Sequence, residues 1–255
     1  MLEARIRDAR AKKPVLLMTH IVVGYPSFEA SLQIVDAMVA AGVDLMELPI
    51  PFSEPMADGP VIVAANQKAL AQGSTVERCF EFAATVTRRH DIPFLFMSYY
   101  NVLFRAGVAQ FVDRMKAVGL VGAIVPDLPP EEAGEYLPAM ERAGLNPIFI
   151  YAPSTSDERM RTLASQGRGF IYCVARKGVT GLHTTFSSEL DAYLSRCRAA
   201  TKLALAVGFG VGDAADVDFL RGKVDIAVVG SATLRLIDEK GVAAVGPFIR
   251  SLRRS

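Results

Sequence analysis

Eight short apolar runs, each followed by a stretch with helical spacing, constrain the fold of this chain more than any other feature. The runs are mostly continuous instead of alternating, which is typical of parallel strands that are buried on both faces. They cover residues 15–23, 43–50, 93–99, 121–126, 146–151, 169–174, 202–207 and 224–229. The sequence therefore predicts eight strands of a parallel sheet.

Between the runs, apolar residues recur at the three- and four-residue spacing of amphipathic helices. Helix starts are indicated by Ser27 and by the segments 129–132 and 154–158, which carry capping or first-turn residues. Glycines stand where helices should end, just before the next strand: Gly42, Gly119 and Gly144.

This regular alternation predicts an α/β fold, a single (β/α)8 TIM barrel. The chain has 255 residues, and one such barrel typically has about 250, although two smaller domains would also fit this length. No linker or low-complexity tract divides the chain. We therefore expect one catalytic barrel domain over residues 1–255 instead of an open doubly wound sheet.

Charge and cysteine usage argue against several functional classes. The 28 basic and 27 acidic residues nearly cancel, and no broad basic patch that would indicate nucleic-acid binding is visible. No run of about 18 or more apolar residues predicts a membrane span, and the charged N-terminus does not resemble a signal peptide. We expect a cytoplasmic protein with reduced cysteines and no zinc site, because the three cysteines are widely spaced: Cys79, Cys173 and Cys197.

Two carboxylates follow the second predicted strand, at the end where such barrels carry their active sites. Glu47 interrupts an apolar run, and from chemistry alone a salt-bridged structural Glu is as good an interpretation as a catalytic one. Asp58 begins the segment Asp58-Gly59-Pro60, which spacing alone would make an ordinary turn. Two carboxylates in different surroundings can nevertheless divide acid and base work.

Three glycine-rich segments follow the last three strands: residues 178–181, residues 208–210, and Gly230-Ser231. Each alone indicates no more than a tight turn. Together they stand where a barrel binds phosphate with backbone N–H groups and a helix N-terminus, so their coincidence favours a phosphate site.

Three further residues are candidates with open alternatives. Asp127 could line the site or cap the next helix, and Tyr172 could face the barrel mouth or pack in the core. His20 ends the first run and could reach the site, and the three histidines show no metal-ligand spacing.

The segment from Met46 to Leu48 followed by Pro51-Phe52-Ser53-Glu54-Pro55-Met56-Ala57-Asp58-Gly59-Pro60 resembles the signature of the tryptophan synthase alpha chain family. The similarity extends over nearly the whole chain, through residues 99–101, 125–129, 147–149, 176–181, 208–210 and 230–232. It implies retro-aldol cleavage of indole-3-glycerol phosphate to indole and D-glyceraldehyde 3-phosphate in L-tryptophan biosynthesis. It also implies no cofactor on this chain and a pyridoxal-phosphate beta chain as partner in an alpha2beta2 heterotetramer, facing the loop 51–60.

The resemblance also implies roles for individual residues. Glu47 would handle the C3 proton and the glycerol hydroxyl, and Asp58 would accept or stabilise the indole N–H proton. Thr180 would contact Asp58 when its loop closes. The substrate would be held by residues that match the remaining motifs: Tyr99, Asp127, Tyr172, Thr180, Gly181, Gly210, Gly230 and Ser231.

The chain departs from the family at positions that concern the indole pocket and the partner surface. Family members more often have an aromatic residue at His20, and Pro49 and Glu54 stand where Gly and Asp are usual. Val22 and Tyr25 replace the usual Thr and Asp. Both catalytic carboxylates are present.

Two competing hypotheses belong to other classes. A phosphate-binding barrel isomerase shares the glycine-rich end, but such enzymes lack the Glu-Leu-x-x-Pro-Phe-Ser segment. A regulatory subunit that has kept the fold and lost catalysis is disfavoured by the presence of Glu47, Asp58 and Thr180.

Overall fold

The computed structural model describes residues 2–175, 188–208 and 210–253. Within them, eight parallel strands close into a barrel in sequence order, with the last strand paired to the first. The strands are β1 (Leu16–His20), β2 (Leu45–Pro49), β3 (Phe94–Met97), β4 (Gly122–Ile124), β5 (Asn146–Tyr151), β6 (Phe170–Val174), β7 (Ala204–Gly208) and β8 (Ile226–Val229). The predicted TIM barrel is confirmed.

Helices surround this barrel and connect successive strands. They are α1 (Leu2–Arg10), α2 (Phe28–Ala40), α3 (Pro60–Ala71), α4 (Val76–Arg89), α5 (Tyr100–Ala106), α6 (Val108–Ala117), α7 (Tyr136–Ala143), α8 (Asp157–Gln166), α9 (Ser188–Ala200), α10 (Ala214–Leu220), α11 (Ser231–Lys240) and α12 (Val245–Ser251). Two short 3₁₀ helices, Pro130–Glu132 and Val242–Ala244, complete the described elements. None of the helices in the described ranges is long and apolar enough to cross a membrane.

Each predicted run corresponds to one strand, but several strands are shorter than their runs, and β7 extends one residue beyond its run to Gly208. The run 15–23 pairs with its neighbours only as far as His20, although Ile21 and Val23 are fully buried. Beyond His20 the ladder with β8 and β2 ends, and Val23 donates its N–H to the carbonyl of Pro49. Apolar sequence reports burial, whereas a strand also needs ladder pairing, so the predicted boundaries were too long.

The capping predictions are largely confirmed. The Ser27 hydroxyl accepts a hydrogen bond from the N–H of Ala30 at the start of α2, and Ser156 does the same at α8. The segment 129–132 instead forms a separate 3₁₀ helix, and α7 begins only at Tyr136. Positive φ angles occur at the three glycines expected to end helices, which are Gly42, Gly119 and Gly144.

Most buried apolar side chains form two layers, because side chains alternate along each strand. One layer lies between the strands and the outer helices. The other fills the barrel interior with residues such as Leu16, Met18 and Leu45, and Leu2 and Ile6 of α1 pack against it. Helix α1 therefore closes one end of the barrel.

The same alternation determines which residues reach the opposite end. Continuing the interior positions of β1 from Leu16 and Met18 leads to His20, and continuing β2 from Leu45 leads to Glu47. Equivalent positions on the other strands are Tyr172 within β6, Gly208 at the end of β7, and Tyr99 and Gly230 just beyond β3 and β8. These side chains, together with the two glycines, form the upper layer of the barrel interior.

Candidate active site

Glu47 lies in the upper layer with a histidine as its neighbour. Strands β1 and β2 pair so that His20 and Glu47 are opposite each other, with both side chains on the interior face. The Nδ1 atom of His20 is 3.2 Å from Oε1 of Glu47, and the two side chains are only 6% and 3% exposed. Glu47 can therefore be both a salt-bridged structural residue and a catalytic one, because its buried carboxylate has a partner that can gain or lose a proton.

The pKa of His20 is raised above its usual value by this environment. Burial alone lowers the pKa of the imidazole, because desolvation disfavours the charged form. The hydrogen bond to Glu47 and the negative charges of Glu47 and Asp58 outweigh that effect. A positively charged imidazole thus becomes more favourable between two carboxylates.

Asp58 is positioned by a turn and by a tyrosine. Its N–H donates to the carbonyl of Pro55 at 2.9 Å, and α3 begins two residues later. The hydroxyl of Tyr99 donates to Oδ2 of Asp58 at 2.9 Å and accepts from the N–H of Ala57 at 3.0 Å. The ring of Tyr99 stacks on Phe52, with 5.2 Å between ring centroids. The turn closes over residues 55–58, before the predicted Asp58-Gly59-Pro60 turn, because Gly59 caps α3 and Pro60 begins it.

Burial raises the pKa of Asp58, while the charge of His20 and the hydrogen bond from Tyr99 lower it and the charge of Glu47 raises it. The net shift is upward. The pKa of Tyr99 is also raised, first by burial and then by the charge of Asp58, so the phenol remains a hydrogen-bond donor at neutral pH. Glu47 and Asp58 therefore occupy different surroundings, which is the condition for dividing acid and base work.

Tyr172 lies at the barrel mouth and not in the outer core. Its ring packs against the interior layer, and the charges of Glu47 and Asp58 raise the pKa of its hydroxyl after burial has done so. The ring passes directly over Gly208 on the neighbouring strand β7: a Cβ on Gly208 would lie 2.7 Å from Cζ of Tyr172. Only a glycine at this position leaves room for the phenol.

The glycine-rich ends of β7 and β8 lie on neighbouring strands. Gly210 has a φ of 107°, which side chains rarely adopt, and Gly230 directly precedes α11, whose first residue is Ser231. A Cβ on Gly230 would be 3.4 Å from Cβ of His20. Unpaired N–H groups at the start of a ten-residue helix can bind an anion. Thr180 and Gly181, which were expected to complete this region, lie outside the described residues.

Asp127 has a role that neither sequence interpretation anticipated. Its side chain is exposed, and Oδ1 accepts a hydrogen bond from the N–H of Tyr100 at 2.8 Å. It therefore caps the start of α5, on the neighbouring βα unit, instead of the segment that follows it in sequence. Through α5 it supports the residue after Tyr99.

Two interior residues of the site, His20 and Gly208, belong to no sequence motif that predicts their contacts. The period-two alternation of β1 and β7, started from Leu16 and Ala206, would have placed both on the interior face. No cluster of three or more His, Cys, Asp or Glu that could bind a metal occurs in the part of the chain that the structure describes.

Comparison with known proteins gives a consistent result. A family model described as "Tryptophan synthase alpha chain" matches residues 6–246. Proteins of that name from Syntrophotalea carbinolica and Desulforapulum autotrophicum are 63% and 64% identical, over 99% of this chain and all of each relative. Tryptophan synthase from M. tuberculosis in its aminoacrylate-bound form is 29% identical with a TM-score of 0.90, covering 99% of this chain and 97% of that one. Tryptophan synthase subunit alpha from Legionella pneumophila matches with the same identity, TM-score and coverage.

Proposed function

The chain belongs to the tryptophan synthase alpha chain family, whose members cleave indole-3-glycerol phosphate in tryptophan biosynthesis, and we propose that Glu47 and Asp58 carry this reaction in it. The observation that supports the proposal most is their arrangement around His20. Glu47 is buried against the imidazole, and Asp58 is held nearby by Tyr99. Two carboxylates with different partners face one end of the barrel.

The chemistry assigns them separate tasks. Breaking the bond between indole C3 and the glycerol carbon requires a proton on C3 and removal of the proton from the adjacent hydroxyl. Glu47 takes the hydroxyl proton and delivers a proton to C3, so its own protonation is unchanged after one turnover. The electron pair of the broken bond restores the aromatic ring, and the hydroxyl carbon becomes the aldehyde.

Asp58 acts on the indole nitrogen in this proposal. Protonation at C3 places positive charge on the ring N–H, and a fixed carboxylate nearby stabilises that charge. Tyr99 fixes the carboxylate by its hydrogen bond to Oδ2. A carboxylate that is already oriented costs no reorganisation when the charge develops.

The test replaces each carboxylate by its amide. We expect Glu47→Gln and Asp58→Asn each to lower turnover by about two orders of magnitude or more, the usual range for an acid or base group. Indole release is measured with purified protein, and binding of indole-3-glycerol phosphate to the variants is measured by calorimetry. Glu141→Gln on the exposed surface of α7 is the matched control. Near-normal turnover in either variant would remove that residue from the mechanism.

We propose further that Gly210, Gly230 and Ser231 bind the substrate phosphate, together with Gly181. The support is the glycine at positive φ after β7 and the start of α11 after β8. Gly230→Asp and Gly210→Asp should weaken binding of substrate and of inorganic phosphate together, because each adds bulk and a like charge.

The position of Gly230 allows bulk and charge to be separated. Its φ is −115°, outside the left-handed region that favours glycine, and an added Cβ would lie 3.4 Å from Cβ of His20. Gly230→Ala should weaken phosphate binding less than Gly230→Asp, and Gly134→Asp, where a Cβ meets nothing within 4 Å, should leave it unchanged. Unchanged phosphate affinity in Gly230→Asp, measured by calorimetry, would exclude the assignment.

We also propose a tryptophan synthase beta chain as partner, bound at the rim that carries Asp58. The two exposed large hydrophobic side chains in the described residues are Met56, 77% exposed in the loop 51–60, and Phe104, 65% exposed on α5. They follow β2 and β3, which are neighbours in the barrel. Docking there would order the loop that holds Asp58 and so favour its active conformation.

Glu54 is exposed in the same loop. We expect Glu54→Ala to reduce stimulation by the beta chain much more than basal cleavage, whereas Glu141→Ala removes the same charge elsewhere without this effect. Indole production is followed while beta chain is titrated into each protein. Equal stimulation of wild type and Glu54→Ala would mean that Glu54 does not carry the coupling.

We place the complex in the cytoplasm, which is supported by the buried free thiols of Cys79, Cys173 and Cys197.

A further inference from the structure

His20 is a buried ionisable side chain among acidic neighbours at the centre of the barrel mouth. Its side chain is 6% exposed, its Nδ1 atom is 3.2 Å from Oε1 of Glu47, and Asp58 is close enough to affect its charge. Gly230, just beyond β8, is also near: a Cβ there would lie 3.4 Å from Cβ of His20. An apolar aromatic ring would fill such a buried position at less cost than an imidazole.

The cost arises from the two ring nitrogens. A buried polar atom without a partner destabilises the fold, and Nε2 of His20 is buried without a hydrogen-bond partner in the described residues. Only Nδ1 has a partner there, and that partner is a carboxylate. Because charge-assisted hydrogen bonds are about twice as strong as neutral ones, the contact with Glu47 is the compensation that keeps an imidazole at this position.

We propose that His20 is a positioning residue for the cleavage reaction, which donates from Nδ1 to Oε1 of Glu47 and fixes the orientation of that carboxylate. The inference rests on the proposed role of Glu47. With Oε1 held by the imidazole, rotation of the carboxylate about its terminal bond is restricted. The same oxygen is then presented to the substrate in each turnover.

The charged groups around His20 favour its protonated form. Glu47 faces it from β2 and Asp58 from the loop after β2, while β8 contributes the uncharged Gly230. The phenols of Tyr99 and Tyr172, which lie near these carboxylates, keep their protons because their pKa values are raised by burial. The imidazolium is thus the one cationic side chain that these contacts bring to the two carboxylates.

The kinetic test uses two substitutions that differ in one property. His20→Phe keeps a ring and removes both nitrogens, and we expect kcat to fall about tenfold to a hundredfold, the scale of one hydrogen bond to a charged group. His20→Asn keeps a donor near the position of Nδ1 but cannot titrate, and it should recover most of that loss. In wild type kcat should decrease slightly with rising pH, as His20 loses its Nε2 proton and the hydrogen bond from Nδ1 to Glu47 loses its charge assistance, and His20→Asn should lack this step. Thr19→Val, at the adjacent buried position on the outer face of β1, is the control and should leave kcat and its pH profile unchanged.

A spectroscopic test needs no turnover. The chain has three histidines, so His20 is assigned in NMR spectra by the resonance that disappears in His20→Phe. Its titration midpoint in wild type should lie above the usual value, and in Glu47→Gln it should move to lower pH by about one unit or more. The direction follows because burial remains after the partner charge is removed.

The outcomes separate the inference from the proposed function. If Glu47→Gln is inactive while His20→Phe turns over like wild type, or if the His20 midpoint is the same in wild type and Glu47→Gln, the positioning role is wrong. If Glu47→Gln is fully active, the proposed role of Glu47 fails, and a shifted His20 midpoint would then describe a structural ion pair only. Loss of turnover in His20→Phe together with recovery in His20→Asn and the shifted midpoint supports the inference.

Discussion

Replacing Gly208 by alanine should displace Tyr172 and disturb the barrel mouth without straining the backbone. Gly208 ends β7, and its φ is not in the left-handed region. The three described atoms nearest to an added Cβ all belong to the phenol of Tyr172. The added Cβ would lie 2.7 Å from Cζ and 2.8 Å from Cε1 of that ring, and closer still to the hydroxyl oxygen.

These separations are about 1 Å below the contact distance of two carbon atoms, and Tyr172 is anchored in β6 next to β7. The ring cannot move without leaving its place in the interior layer. Overpacking of this kind costs about 1–3 kcal/mol. We therefore expect urea unfolding to show Gly208→Ala destabilised by about 2 kcal/mol, and kcat/KM to fall by about tenfold or more because the displaced phenol lies beside Glu47 and Asp58.

Gly134→Ala is the matched control, since a Cβ there meets nothing within 4 Å and the φ angle is not positive. In a double-mutant cycle with Tyr172→Phe, the destabilisation by Gly208→Ala should be smaller, because the closest clashing atom has been removed. An additive cycle, or a Gly208→Ala variant as stable and active as wild type, would show that the position of the Tyr172 phenol does not require a glycine at residue 208.

Two further predictions concern a hydrogen bond at the site and an ion pair at the other end of the barrel. Tyr99→Phe removes a hydrogen bond that lowers the pKa of Asp58, so the pKa of Asp58 should rise further above its usual value. If turnover needs the ionised Asp58 carboxylate, the acid limb of the pH profile of kcat/KM should move to higher pH. An acid limb at the same pH as in wild type would contradict this. The side chain of Asp44 is 8% exposed and binds Lys13, Arg253 and the N–H of Leu17. Asp44→Asn should therefore lower the free energy of unfolding by about 2 kcal/mol in urea titrations. Catalysis in dilute buffer should be unaffected. A change in the free energy of unfolding below about 0.5 kcal/mol would mean that the ion pairs of Asp44 with Lys13 and Arg253 do not stabilise the fold.

The fold was predictable because both signals that define it are local. Continuous apolar runs report strands buried on both faces, and caps such as Ser27 and glycines such as Gly144 report where helices begin and end. The predicted strand boundaries were wrong where residues are buried but do not pair with a neighbouring strand. Ile21 and Val23 are as apolar and buried as any strand residue, but they lie beyond the last rung of the ladder.

The site was predictable to the extent that it consists of side chains at strand ends. Glu47 and Asp58 could be named from an unexpected charge in an apolar run and from a motif. Tyr99 as the partner of Asp58 could not be named, and neither could Tyr100 as the partner of Asp127, because these contacts join residues far apart in sequence. Such contacts depend on how neighbouring βα units are arranged around the barrel, which single-strand periodicity does not describe.

Strand register explains why His20 lies next to Glu47 and not elsewhere on the rim. Parallel neighbours in register place side chains on the same face, so His20 and Glu47 meet without any contribution from flexible loops. Asp58, in contrast, depends on a loop and on Tyr99 for its position. The chain therefore holds one carboxylate by the barrel itself and the other by a segment that a partner can reach. Regulation by a docked chain should act through Asp58, while the setting of Glu47 stays the same with and without a partner.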